Sequence, residues 1–106
     1  MAERIKMTRS TGNVFADAGF EPEQAANLAL RSTLMIQVRQ VVEKLNTTQA
    51  IAAKRLGVTQ SRLNLLLHGK IDLFTIDSLV VMLARAGYRT ELKVKRLPTK
   101  LVLLAA

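Results

Sequence analysis

The sequence predicts a mainly α-helical domain closed by one C-terminal β-strand. Apolar residues recur at helical spacing over residues 22–45 and 76–86. Residues 49–66 read as two short helices joined by a tight turn at Gly57. Over residues 88–95 the period changes from helical to alternating. A chain of 106 residues with 49% hydrophobic content is one domain with a modest core, and its composition excludes a disordered chain.

Residues 1–13 are polar and carry Arg4, Lys6 and Arg9. They read as a flexible arm, either a loose terminus or a segment that enters a minor groove. Phe15 and Phe20 follow as expected core plugs. The first long helix should run from Pro22 or Glu23 to Leu45. Proline suits the first turn, and a glutamate there complements the helix dipole. Leu34, Val38, Val41 and Leu45 share its buried face, widened by Met35 and Val42.

Thr48 and Thr59 each precede a helical run and can cap it. Ala52 and Ala53 are small where two helices would cross. Leu56 and Val58 flank Gly57, which can take the positive φ that ends the first helix of the pair. In the second helix Leu63, Leu66 and Leu67 fall on one face, leaving Gln60, Ser61, Arg62, Asn64 and Leu65 on the other. Gln, Ser, Arg and Asn are residue types that read base edges in a major groove. The spacing therefore predicts a helix-turn-helix that binds double-stranded DNA. Arg62 is the expected principal base reader, with Gln60, Ser61 and Asn64 beside it. The alternative for the same pattern is a helical hairpin with a solvated polar face.

After Gly69 a connection over residues 70–75 leads to the last helix. Thr75 caps it, Asp77 lies in its first turn, and Ile76, Leu79, Val80 and Leu83 form its buried stripe. Gly87 ends it. Tyr88, Thr90, Leu92 and Val94 then alternate with Arg89, Glu91, Lys93 and Lys95, predicting a half-buried strand over 88–96. A strand needs a partner. The same strand of a second copy would make a two-fold homodimer with those four residues at its interface, suited to a palindromic operator; residues 100–104 are the other candidate. The expected organisation is thus an arm (1–13), a helix-turn-helix domain with its dimerising strand (14–97), and an apolar tail (98–106).

Charge follows the same division. The chain has 16 Lys plus Arg against 8 Asp plus Glu, a formal +8. Residues 46–70 hold Lys54, Arg55, Arg62 and Lys70 and no acid, whereas residues 21–45 balance at zero. Lys54, Arg55 and Lys70 are expected phosphate contacts, which position the protein without specifying sequence. Aromatic content of 4% argues against the stacking platforms of single-strand RNA readers. With no cysteine, disulfides and thiolate metal sites are excluded. No apolar run reaches transmembrane length. The one histidine, His68, has no partner set for catalysis or metal binding. The expectation is a non-enzymatic protein without a cofactor.

The segments 12–20, 48–50, 56–62 and 68–70 followed by Phe74 resemble the Cro/cI-like (XRE) helix-turn-helix superfamily. More narrowly they are similar to its HigA-type antitoxin and regulator branch. The resemblance covers roughly residues 12–95 and implies five helices, a homodimer and operator binding in a bacterial cytoplasm, on the nucleoid. It implies that Gln49 braces the recognition helix and touches a phosphate, and that Gln60, Ser61, Arg62 and Leu65 face the groove. Thr59 and His68 join the expected phosphate contacts. Leu65 departs from the branch, where a polar or acidic residue is usual; leucine can only touch a thymine methyl. Ala18 departs too, standing where a larger aliphatic is common. Two functions fit: an antitoxin that neutralises a small toxin protein and represses its own operon, or a stand-alone repressor. The end Leu104-Ala-Ala106 resembles a protease-read degron, as would suit a labile antitoxin.

Overall fold

A computed structural model describes residues 13–96 of the chain. Five α-helices follow in order: α1 (Val14–Asp17), α2 (Pro22–Leu45), α3 (Gln49–Leu56), α4 (Gln60–Leu67) and α5 (Ile76–Arg85), with a 3-10 turn (Ile71–Leu73) between the last two. Apart from Asn13, the expected arm lies outside the described residues. So do Leu97, the apolar tail and its Leu-Ala-Ala end.

The spine is α2. Pro22 enters its first turn, Glu23 and Lys44 sit at the dipole ends they complement, and Asn46 stops it in the left-handed region at φ 51°. Asn13, expected in the arm, instead caps α1: its side chain accepts from the Phe15 N–H at 2.9 Å and donates to the Ala25 carbonyl at 3.0 Å. This ties α1 to the start of α2.

Leu34, Met35, Val38 and Val41 of α2 join Ala52, Ala53, Leu56, Leu63, Leu66, Phe74, Leu79, Met82 and Leu83 in one buried cluster. Ala52 is fully buried and Ala53 nearly so, as a close helix crossing requires. Thr48 accepts from the Ile51 N–H, Thr59 from the Arg62 N–H, and Thr75 and Ser78 form a reciprocal capping box.

Three expectations change. Phe15 is only half-buried and Phe20 is exposed, so neither plugs the core; the two rings meet edge-on at 6.1 Å. A four-residue α1 is too short to carry them deeper, and α2 fills the core from its own leucines and valines. Leu65 is half-buried against the core rather than outward-facing. Lastly, residues 88–96 form no strand, and none exists among the described residues. The Tyr88 N–H bonds back to the Leu83 carbonyl at 2.9 Å, and the segment then runs on with no neighbouring strand to bond.

Candidate nucleic-acid interface

The candidate interface is built on α3, its turn and α4. The turn is fixed by backbone chemistry. Gly57 adopts φ 76°, its N–H bonds the Lys54 carbonyl at 3.1 Å, and the Val58 N–H bonds the Ala53 carbonyl at 3.0 Å. This pair of bonds satisfies two otherwise orphaned carbonyls of α3 and sends the chain into Thr59. The side chain of Arg85 from α5 lies across the glycine, where a β-carbon would meet its Cδ at 2.4 Å.

Burial of Leu63 and Leu66 then sets the rotation of α4, with relative exposures of 0% and 1%. Gln60, Ser61 and Asn64 are consequently exposed. Asn64 lies four residues after Gln60 and three after Ser61, so the three form one stripe. Among the described residues their side chains make no hydrogen bond within the chain, which leaves donors and acceptors available. His68 continues the stripe, four residues after Asn64, and its Nδ1 lies 2.8 Å from the Asn64 carbonyl at the helix end. Its role there is local closure of α4, compatible with an outward Nε2.

Lys54, Arg55 and Lys70 are exposed, as phosphate contacts need. Lys54 and Arg55 also occupy the last turn of α3, where they offset the negative dipole end. Gln49 is exposed, and among the described residues its side chain makes no hydrogen bond to α4. Thr59 spends its hydroxyl as acceptor on the α4 cap.

Arg62 stands apart from the stripe. Its Nη2 donates to the Leu73 carbonyl at 2.9 Å, and its guanidinium carbon sits 4.3 Å from the centroid of the Phe74 ring. Two arginines that sequence reasoning passed over act on the same loop. Arg39 donates to the Leu67 carbonyl at the end of α4, and Arg31 donates to the Ile71 carbonyl at 3.1 Å and to Asn27 at 2.7 Å. The signal was available for Arg31. It falls three residues after Leu28 and four before Met35, inside the buried stripe of α2, where a cation must find acceptors. Three arginines thus donate to the carbonyls of Leu67, Ile71 and Leu73, which ties their side chains to the loop.

Tyr88 and Thr90 are half-buried, Tyr88 packing on the core cluster, while Leu92 and Val94 are exposed at 59% and 94%. The four residues of the expected dimer interface therefore divide into an inner and an outer pair. Beside them Arg89 and Glu91 form an exposed ion pair at 2.6 Å, which adds little stability. No described helix is long and apolar enough to cross a membrane.

A family model described as a helix-turn-helix domain matches residues 14–95, the same span over which the caps, turn and buried stripe are laid out. Among curated proteins nothing matches the chain.

Proposed function

The chain belongs to the helix-turn-helix domain family, and on that premise we propose that it is a sequence-specific DNA-binding transcriptional regulator. The observation that carries this reading is the exposed stripe Gln60, Ser61 and Asn64 on α4, opposite buried Leu63 and Leu66. Gln and Asn can bond adenine bidentately and Ser can serve either partner. Lys54, Arg55 and Lys70, with Gln49 and His68, supply the sequence-independent contacts to phosphates.

In finer form the regulator is a homodimer on a palindromic operator, joined by residues 88–96 of the two copies. Its role is that of an antitoxin which binds a small toxin protein and represses its own operon, in a bacterial cytoplasm and on the nucleoid. The support for this branch is the similarity of residues 12–20 and 56–62 to HigA-type proteins. A stand-alone repressor is the alternative. Neither carries an enzymatic role or a cofactor.

Selection from a random duplex library tests the premise. A motif with two half-sites about one helical turn apart is expected; an unenriched pool refutes sequence-specific binding. The native mass of the protein purified from its host at its own expression level tests the finer form. A stoichiometric second small chain supports the antitoxin, whereas a bare homodimer supports the alternative.

A further inference from the structure

We propose that Arg62 is a positioning residue that holds the recognition helix on the loop behind it and does not read a base. The inference rests on the proposed reading of α4 as the helix that enters the groove.

Arg62 begins on α4 but ends on the loop. Its Nη2 bonds the carbonyl of Leu73, the last residue of the 3-10 turn. Its guanidinium covers the ring of Phe74, which is 1% exposed and forms part of the core cluster. An arginine that reads guanine presents two nitrogens edge-on to O6 and N7. Arg62 would have to leave both the carbonyl and the ring to do so, and would uncover Phe74 to water. Gln60, Ser61 and Asn64 have no such commitments. Arg39 and Arg31 take the neighbouring carbonyls of Leu67 and Ile71. The same chemistry repeats along the loop, which marks Arg62 as the third member of a set of struts. Fixing the loop fixes the C-terminal end of α4 and with it the angle at which the stripe meets DNA.

The test uses the full chain, its best selected duplex and every single-base-pair variant of that duplex. Arg62→Ala is expected to weaken binding to all duplexes by a common factor of roughly ten, about 1.4 kcal/mol, with the ratios between duplexes unchanged. Arg62→Lys keeps a cation over Phe74 and should recover part of the loss. Asn64→Ala should instead flatten discrimination at one base pair. Loss of discrimination at one base pair in Arg62→Ala overturns the proposal while leaving the reading of α4 intact. Failure of the wild-type chain to select any duplex overturns both. Because Arg62→Ala removes a contact to the core, a second measurement uses the unaltered protein. Nitrogen-15 NMR of the Arg62 guanidinium should show hindered rotation in the free chain and the same signals on DNA. Free rotation, or signals that move to those of a guanine contact, overturns the proposal.

Discussion

Gly57→Ala tests how the turn between α3 and α4 is held. Gly57 sits at φ 76°, where a β-carbon crowds the following carbonyl and costs about 1–2 kcal/mol. The new methyl would also fall 2.4 Å from Arg85 Cδ and 2.7 Å from its Nε, closer than atoms approach. Whether that adds to the cost depends on how firmly Arg85 is seated. Arg85 is exposed and, among the described residues, makes no hydrogen bond or ion pair, so its end can swing into water for roughly 0.5 kcal/mol of lost contact. The expected loss is therefore about 1.5–2.5 kcal/mol, the backbone part dominating. Gly69 is the matched control: φ 75°, with nothing within 4 Å of its β-position. Gly69→Ala should cost the backbone part alone, so the two variants should agree to within about 1 kcal/mol. Urea unfolding followed by circular dichroism measures both, and a melting-temperature drop of about 4–8 °C per kcal/mol gives an independent reading. A double-mutant cycle with Arg85→Ala isolates the clash and should give a coupling below about 0.5 kcal/mol. If Gly57→Ala costs ~3 kcal/mol more than Gly69→Ala and Arg85→Ala restores the difference, Arg85 is a fixed part of the turn. Two neutral variants would refute the strain argument altogether.

Thr59→Ala removes the hydroxyl that accepts the Arg62 N–H at 3.1 Å. It should cost about 1 kcal/mol in chemical denaturation, and an unchanged midpoint would mean that water caps α4 equally well. Lys54→Ala should weaken binding to specific and random duplexes alike. The slope of log K against log salt should fall by about 0.9 in magnitude; an unchanged slope would place Lys54 off the phosphate track.

The helix-turn-helix was legible because each of its parts has a local cause. Thr48 and Thr59 announce helix starts, Gly57 announces the left-handed stop, and the spacing of Leu63 and Leu66 sets which face of α4 turns inward. The bounds of α2 follow from Pro22 and from the break in period at Asn46. What a periodic reading could not show was the reach of long side chains. On a helical wheel Arg62 shares the outer half of α4 with Ser61 and Leu65. Its chain is long enough to fold back onto Leu73 and Phe74, and Leu65 settles onto the core at the edge of the same face. The roles of Arg31 and Arg39 depend on carbonyls some 28–40 residues away, and no pattern within α2 names that partner. Charge counting suffers for the same reason. An arginine that donates to a loop carbonyl counts in full toward the formal +8, yet its position is set by the loop and only its remaining N–H donors can meet a phosphate.

The alternation over residues 88–95 misled differently, since it predicts a capacity rather than a state. Tyr88 and Thr90 sit half-buried, the Thr90 hydroxyl oxygen is buried without a hydrogen-bond partner, and Leu92 and Val94 continue the same parity into solvent. A segment with alternating apolar residues, an apolar face that begins on the core and no neighbouring strand among the described residues has the capacity to pair. Pairing with its own symmetry mate would give it the missing ladder and bring the two apolar faces together, one onto each domain. Leu92→Lys with Val94→Lys should prevent that by setting like charges opposite one another, without touching the core cluster. Sedimentation at micromolar concentration is expected to give a dimer for the native chain and a folded monomer for the variant. The variant should then bind a two-half-site duplex about 10²–10⁴-fold more weakly, because the second half-site no longer benefits from linkage. Binding to an isolated half-site should change little, which separates loss of pairing from damage to α4. A variant that remains a dimer would refute the strand as the interface and turn attention to exposed Val81 on α5 and Ile36 on α2.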